Sequence, residues 1–436
     1  MEKSFADSTG YKLDIKGNIQ GKIFPSFVIS IDDIALESEV NRNDFIIDAK
    51  KMTFNVKILS LFAGKVDFSR VVLKDFVITN QRTNEKLFEA IEISSELIPR
   101  RDSVRFNDIS LVVNSGQYRG NLSFIFFGAY NEVSGMLSAE SAHFKDTIGI
   151  PLSVSGFAHL KGKVDIKFEK LLLGDVSFEK TEVELITNED TLSMKFTSTL
   201  SEGNLKGEYV FEDVTAIEGV KHLQLQLVNA DATALLKQFN PDLEINNGRA
   251  DFRFDGKTTG STQKFFLTQM NGTGELELKD IDLLSHRVPT KSIMGAVFSS
   301  LSSLDQEQVK CFVANGELKN GRLQSNQKIG LETKSLVGIG SGEYDFETES
   351  IDFIMKLQHT SQDPQSTGQL GGMITAMGSL EKPDVRVSQD LMQGLTTNNG
   401  SAILDISSDG LSQMAKMFIK TLPTLKTPCE DIKRAE

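Results

Sequence analysis

Strict alternation between apolar and polar side chains runs along most of this 436-residue chain. Apolar residues or glycine occupy every second position in residues 11–19, 223–227 and 351–357. A period of two is that of a β-strand, whose successive side chains point to opposite faces, whereas a helix needs a period of about 3.6. Each such strand therefore has one apolar face and one polar face.

Turn signals separate many of these alternating runs. Four Asn-Gly pairs occur, and Asn-Gly accepts positive φ at both central positions of a two-residue hairpin turn. They are Asn247-Gly248, Asn271-Gly272, Asn315-Gly316 and Asn320-Gly321. Strands joined by short turns predict an antiparallel meander rather than parallel strands joined by helices.

The expected fold class is mainly β, a long curled antiparallel sheet that forms a groove, with a few short helices. Many strand pairs follow one another without a consistent second set to cover them, which favours an extended curled sheet over a small closed barrel. A β-sandwich is the alternative, because sandwiches also consist of short alternating strands.

Three segments have apolar residues at helical spacing. A short helix is predicted near residues 231–239, with Asp231 as its N-cap and Pro241 as its stop. A second helix is predicted near residues 291–304. A third apolar stripe, near the C-terminus, consists of Leu411, Met414, Met417, Phe418 and Leu422. Each stripe is expected to pack on the sheet rather than against a membrane or a partner.

Three regions are expected along the chain. Residues 1–216 form an N-terminal β-rich groove region. Residues 217–390 form a second β region, which contains the helices near 231–239 and 291–304. Residues 391–436 form a linker, an amphipathic helix and a tail, and the polar residues 426–436 are expected to fray.

The chain carries a formal net charge of −13 at pH 7. Binding to a phosphate backbone requires clustered Lys and Arg, and the chain has only short basic pairs such as Arg100-Arg101. Nucleic acid is therefore not expected as a partner. The hydrophobic content of 39% is enough for a sizeable core.

No arrangement of residues in the sequence is typical of catalysis. The five histidines are scattered without metal-ligand spacing, and neither a G-x-S-x-G nor an H-E-x-x-H motif occurs. The run Gly338-Ile339-Gly340-Ser341-Gly342 leads into a strand pattern, whereas a dinucleotide loop must open a helix. Its alternate glycines instead predict a sheet face without side chains, where another group packs closely. We expect no enzyme activity, no metal and no cofactor; a hydrolase on a β-sandwich is the least favoured function.

Two cysteines, Cys311 and Cys429, lie far apart in the sequence. They can form one bridge in an oxidising compartment, but two unpaired thiols are the preferred interpretation, because a bridge demands specific geometry. No stretch of about 18 apolar residues could span a membrane, and no signal-peptide pattern opens the chain. Either the protein is cytoplasmic or a targeting segment lies upstream and is absent from this chain, and the second is the preferred interpretation.

The order of motifs between residues 268 and 387 carries a family resemblance. It begins with Asn271-Gly272-Thr273-Gly274, continues through Asn315-Gly316 and the glycines of 338–342, and closes on Gly378-Ser379-Leu380-Glu381-Lys382-Pro383. This order resembles the C-terminal region of the AsmA family of bacterial envelope proteins. Residues 223–254 and the strand pattern at residues 11–34 are also similar to that family.

The resemblance implies a non-enzymatic envelope protein of outer-membrane biogenesis. Such a protein would be periplasmic and anchored in the inner membrane through an N-terminal segment absent from this chain. Its apolar β-groove would bind or conduct lipids, above all phospholipid, between bacterial membranes, with other envelope proteins as partners. The alternative is a scaffold or assembly factor for outer-membrane proteins that acts through sheet-edge interactions.

Seven residues on alternating strands are the candidates for lining such a groove. Each can equally be ordinary core beneath a helix, because strand residues that point inward are apolar in both cases. The candidates are Leu223, Leu225, Leu227, Phe252, Phe254, Phe353 and Met355. Exposing the roughly 30 methylenes of a phospholipid to water costs a free energy on the order of 25 kcal/mol, at about 0.8 kcal/mol each. An apolar lining would lower that cost.

Overall fold

In the computed structural model, the described residues are 11–23, 27–38, 45–56, 68–80, 86–99, 103–127, 130–144, 160–214, 216, 219–239, 245–259, 263–283, 308–334, 336–360, 370–379, 384–387 and 427–434. The chain divides into two compact units. Unit 1 comprises Met1–Phe196 and Glu212–Ala216, and unit 2 comprises Thr197–Phe211 and Ile217–Glu436. The division of the sequence into regions 1–216, 217–390 and 391–436 stays a prediction; packing assigns Thr197–Phe211 to the second unit.

The described part of unit 1 consists of strands and contains no helix. The strands coincide with the alternating runs of the sequence. Their bounds are β1 (Tyr11–Ile15), β2 (Ile19–Lys22), β3 (Phe27–Ser38), β4 (Phe45–Val56), β5 (Phe68–Asn80), β6 (Lys86–Pro99), β7 (Ser103–Val113), β8 (Gly116–Phe127), β9 (Tyr130–Phe144), β10 (Leu160–Leu173), β11 (Val176–Glu189) and β12 (Thr191–Leu200), whose last residues belong to unit 2.

The strands of unit 1 pair mostly with their neighbours in the sequence. β1 and β2 both pair with β3, and each strand from β3 to β8 pairs antiparallel with the next. β10 and β11 are also antiparallel, but β9 and β10 run parallel. The prediction of a purely antiparallel sheet is therefore wrong at this pair. Residues 145–159 connect the two strands, and a connection of about a dozen residues or more allows the crossover that parallel strands require.

One face of the unit 1 sheet is apolar from β3 to β10. Directly opposed residues share a face, so the register defines a row that crosses these eight strands. The row is Ile31, Met52, Leu73, Ile93, Leu111, Tyr118, Ala139 and Phe168. Within β3, Asp33 has a positive φ of 48°, and Ile34 packs in the same apolar cluster as Ile31.

Unit 2 combines strands with three short helices among its described residues. The strands are β13 (Gly203–Phe211), β14 (Lys221–Asp231), β15 (Ile245–Asn246), β16 (Arg249–Thr258), β17 (Asn271–Leu283), β18 (Gln308–Lys319), β19 (Arg322–Thr333), β20 (Leu336–Asp345), β21 (Ser350–His359), β22 (Leu370–Ser379) and β23 (Asp384–Val387). The helices are α1 (Ala232–Phe239), α2 (Gln263–Thr268) and α3 (Pro428–Arg434).

The strands of unit 2 form an antiparallel meander. β13 pairs with β14, β14 with β16, and each strand from β16 to β22 with the next, while the two-residue β15 adds to β17. In the described residues, no pairing closes the sheet of either unit on itself. The expected fold class, mainly β with an open sheet and a few short helices, is confirmed.

The Asn-Gly pairs have mixed outcomes. Asn320-Gly321 is a hairpin turn between β18 and β19, with both φ angles positive at 47° and 73°. Asn247-Gly248 also has positive φ at both positions, but the strands that it joins both pair with β17. Asn271-Gly272 and Asn315-Gly316 lie inside β17 and β18, so the turns predicted there are wrong. Glycine inside a strand often marks a β-bulge instead. At Asn315-Gly316, the β18–β19 register shifts between Ala314 and Glu317.

Helix α1 confirms the helix predicted near residues 231–239. The Ala234 N–H donates to Asp231 Oδ1 at 2.7 Å, so Asp231 is the N-cap. The helix predicted near 291–304, the linker and the stripe from Leu411 to Leu422 lie outside the described residues. Helices α2 and α3 were not predicted, because six and seven residues contain too little periodicity to identify.

Helix α3 is attached to the unit 2 sheet. Cys429 forms a disulfide with Cys311 of β18, with their Cα atoms 6.5 Å apart. The Cys429 backbone N–H donates to Glu332 Oε1 at 2.9 Å, and Ile432 packs with Val313. The expectation of two free thiols is therefore wrong, and so is that of a frayed tail for Pro428–Arg434. Both depended on a tertiary contact between positions 118 residues apart, which local sequence does not encode.

Candidate functional site

The seven residues predicted to line a groove all lie on one face of the unit 2 sheet. Leu225 is directly opposite Phe254, and Leu227 is opposite Phe252. Opposed residues share a face, and residues two apart in a strand do as well. Leu223 therefore joins Leu225 and Leu227.

A single row of opposed residues, the apolar row, extends this face from β13 to β23. Every member is apolar or glycine, so no polar side chain interrupts the row between one hydrogen-bonded strand and the next. The apolar row is Leu205, Leu227, Phe252, Leu276, Ala314, Ile329, Gly340, Met355, Ile374 and Val387. It contains Met355, and Phe353 lies two residues away in β21 on the same face.

The apolar face is not equally accessible along its length. Leu223, Leu225, Phe252 and Phe254 are half-buried. The other three candidates are buried, with exposed fractions of 4% for Leu227, 5% for Phe353 and 0% for Met355. The structure thus brings the seven residues onto one face, but only four of them offer surface that a ligand could contact.

The alternate glycines of β20 lie on the same face. Gly338 and Gly340 are opposite Leu357 and Met355 of β21. A Cβ atom at Gly338 would lie 2.7 Å from Leu357 Cδ2, and one at Gly340 would lie 3.4 Å from Met355 Cε. The close packing predicted at these glycines is confirmed, and the groups that pack there are side chains of the neighbouring strand.

The opposite face of β14, β16 and β17 is polar. His222 Nε2 and Gln224 Nε2 lie 2.7 and 2.8 Å from the two carboxylate oxygens of Asp255. The hydrogen bond with His222 is the main cause that holds the pKa of the Asp255 carboxyl below its usual range. Lys279 Nζ lies 3.4 Å from Asp251 Oδ2. The same strands therefore present hydrocarbon on one side and paired charges on the other.

Two helices bound the apolar face at opposite ends of β14 and β16. Helix α1 begins directly after β14 and contacts β14, β16 and β17, where Ala230, Ala250 and Leu278 are fully buried. Helix α2 follows β16 at the other strand end, where the ring of Phe266 lies 6.4 Å from that of Tyr209. Burial there raises the pKa of the Tyr209 hydroxyl above its usual range.

The depressions on the polar side of the described strands are shallow, and one, of about 310 Å³, is lined by Gln224, Gln226, Arg253, Asp255, Thr273 and Glu275 among others. Across the part of the chain that the structure describes, no group of three or more His, Cys, Asp or Glu residues could hold a metal ion. The apolar face is therefore the candidate functional site.

Unit 1 has an apolar face that the choice of seven candidates missed. Half-buried Phe54, Val71 and Leu73 pack around buried Ile31 and Phe76. No helix among the described residues of this unit covers them. The signal for these residues was available in the sequence, because β3, β4 and β5 show the same alternation as β14.

Comparisons with known proteins returned no match for this chain among protein-family models, curated proteins or solved structures. Among the described residues, no helix combines the length and the apolar character needed to cross a membrane. The class that the fold and site define is an open, amphipathic β-sheet protein, and its function must be argued from the apolar face.

Proposed function

We propose that this protein is a non-enzymatic lipid-binding protein that carries lipids, above all phospholipid, between membranes. The acyl chains would bind on the apolar sheet face. The observation that carries this proposal is the apolar row, to which each of ten strands contributes one apolar residue or glycine on the same face.

The chemistry of this face selects hydrocarbon as its ligand. Side chains of the apolar row carry no hydrogen-bonding group, and a sugar, a nucleotide or a peptide backbone loses affinity when its polar atoms are buried without partners. Acyl chains carry no such penalty and gain about 25 cal/mol for each Å² of apolar surface removed from water. Contiguous apolar surface on a protein is itself typical of a ligand or membrane site.

The disulfide between Cys311 and Cys429 supports a location outside the cytoplasm. Disulfides persist in oxidising compartments such as the bacterial periplasm and are rare in the cytosol. The resemblance to the AsmA family leads to the same proposal: a periplasmic protein of outer-membrane biogenesis, attached to the inner membrane, with bacterial membranes as lipid donor and acceptor.

The scaffold alternative has less support from the structure. Strand addition requires an accessible sheet edge. In the described residues, β23 pairs only with β22, but it has four residues and carries an exposed ion pair of 2.7 Å between Arg386 and Asp384. A short, charged strand of this kind resists strand addition. Crosslinked protein partners without stoichiometric lipid would favour the scaffold.

Native mass spectrometry with lipid extraction, on protein purified from cells, tests the proposal. We expect phospholipid in near-stoichiometric or greater amount. Leu225→Asp places a charge on the apolar face and should lower the co-purified lipid by about tenfold or more, since a carboxylate is costly to bury. Gln226→Asp is the matched control, because the next residue of β14 points to the polar face.

Circular dichroism must show that both variants keep the strand content of the wild type. A lipid-free, monodisperse wild-type protein would contradict the proposed function. Equal lipid content in Leu225→Asp and Gln226→Asp would exclude the unit 2 face as the binding surface.

A further inference from the structure

Accessibility changes sharply along a face whose chemistry does not change. Five neighbouring side chains on β14, β16 and β17 are half-buried: Leu223, Leu225, Phe252, Phe254 and Leu276. On the same face, β19 to β22 carry residues with no exposed surface, namely Leu331, Met355, Leu357, Ile374 and Ala376. The register connects the two sets, through Leu276 opposite Ala314 and Ala314 opposite Ile329. The two sets of side chains therefore differ in solvent exposure, while both are apolar.

The five half-buried residues are enclosed at both strand ends. Towards α1, Ala230, Ala250 and Leu278 are fully buried. Towards α2, Tyr209 and Phe211 are buried at 0% and 1% exposure. Accessible apolar surface in this part of unit 2 is thus limited along the strands by the helices and across the strands by the buried residues of the apolar row, which begin at Ile329 of β19.

We propose that these five residues form an acyl window, the place in unit 2 where a lipid hydrocarbon chain binds, and that the apolar row from β19 to β22 is closed to lipid. This inference rests on the proposed function and makes it more specific. In unit 2 the face is a bounded subsite with a closed end, not an open path across all ten strands.

Space inside the acyl window supports an occupant. Gly274 is opposite Phe254, and a Cβ atom there would meet only Phe254 Cδ2 at 3.7 Å and the Arg253 carbonyl oxygen at 3.9 Å. In the closed region the corresponding space is filled, since a Cβ atom at Gly338 would lie 2.7 Å from Leu357 Cδ2. Gly274 therefore leaves room above the sheet that Gly338 does not.

The size of the window favours a hydrocarbon chain over a protein partner. If each of the five side chains offered a third of a surface of roughly 200 Å², the window would supply about 330 Å². A stable protein–protein interface needs about 800 Å² from each partner. A second copy of this chain, docked on the window alone, would therefore not form a lasting dimer.

Tryptophan fluorescence offers a direct test, because the chain contains no tryptophan. Three single-tryptophan proteins are compared after loading with phosphatidylcholine brominated on its acyl chains, which quenches tryptophan on contact. Phe252→Trp places the probe in the acyl window. Phe353→Trp places it on the same face but in the closed region, on the order of 24 Å away across five strand spacings. Arg253→Trp places it on the polar face.

The expected result is loss of most of the emission for Phe252→Trp and little change for the other two proteins. Comparable quenching of Phe353→Trp would overturn the closed end and favour a continuous path. Quenching of none of the three, with lipid retained, would overturn the acyl window and place the lipid elsewhere, leaving the proposed function intact. Failure of the wild type to retain any phospholipid would contradict the proposed function itself.

A space-filling substitution gives an independent test. Gly274→Leu adds a side chain where the structure has room, so the protein should fold and lose retained phospholipid by about tenfold or more, the low end of the effect of a misplaced methylene in an apolar site. Thr273→Leu, the preceding residue of β17, points to the polar face and should retain lipid. Unchanged lipid in Gly274→Leu would overturn the window, and a doubling of mass in solution would show a dimer instead.

Discussion

Two glycines of the motif Asn271-Gly272-Thr273-Gly274 lie on the same face of β17 and have different physical roles. Gly272 is opposite Gly256, and a Cβ atom there would overlap the Asp255 carbonyl oxygen and lie 2.6 Å from the Gly256 Cα. These are backbone atoms of a paired strand, which cannot move aside without breaking the pairing. Gly274 has only ordinary contacts. The motif therefore combines one glycine required by close approach with another that leaves open space.

Alanine substitution should separate the two roles. Gly272→Ala should lower the free energy of unfolding by about 1–3 kcal/mol, the usual cost of forced overpacking. Gly274→Ala should leave it unchanged or raise it by up to about 1 kcal/mol, because alanine loses less conformational freedom on folding. Urea unfolding midpoints at constant slope measure both effects. Equal shifts for the two variants would show that the backbone contact at Gly272 is not the constraint.

At the level of single elements, the sequence predicted the features that depend on neighbouring residues, namely the strands and the start of α1. The alternation identified the strands, and Asp231 identified the start of α1 through its capping oxygen. The parallel pairing of β9 with β10 was not predictable in the same way, because alternation gives a strand its faces but not its neighbour. The docking of α3 also escaped prediction, since it depends on Cys311 and Ile432 meeting partners distant in sequence.

The attachment of α3 predicts that the disulfide stabilises unit 2. It closes a loop between residues 118 apart, and the entropy of a loop of that length corresponds to roughly 4–5 kcal/mol. Cys429→Ser should therefore lower the free energy of unfolding by about 2–5 kcal/mol, as removal of a native disulfide commonly does. Urea unfolding with and without a thiol reductant is the measurement.

The reductant supplies an internal control for this prediction. It should destabilise the wild type as much as the substitution does and should have no effect on Cys429→Ser. A wild type whose unfolding midpoint does not respond to reduction would mean that the remaining contacts, such as that of the Cys429 N–H with Glu332, hold α3 in place without the bridge.

At the scale of the whole molecule, the sequence predicted which residues share a face but not which of them are accessible. Period-two alternation in β14, β16 and β21 placed all seven candidates together, because pairing register preserves the face from strand to strand. Burial of Phe353 and Met355 depends on packing above the sheet, for which a strand pattern carries no signal. The candidate site was therefore predictable as a surface and not as a bounded window.

Both units expose half-buried apolar faces, so bound lipid should contribute to the stability of the folded protein. A ligand that binds only the folded state stabilises it by about 2.7 kcal/mol when its free concentration is 100 times its dissociation constant. Extraction of co-purified lipid should therefore lower the thermal midpoint and increase the fluorescence of a dye that binds apolar surface. Phospholipid vesicles should reverse both changes.

Leu225→Asp makes this experiment specific to the unit 2 face. If that face holds most of the lipid, the variant is already lipid-poor, and extraction should change its midpoint less than that of Gln226→Asp. If both variants respond like the wild type, the stabilising lipid lies on the unit 1 face, around Phe54 and Leu73. A wild type whose midpoint is unaffected by complete extraction would mean that the apolar faces are satisfied by the protein's own packing. Lipid binding would then not be the reason that each of ten strands contributes an apolar residue or glycine to the apolar row.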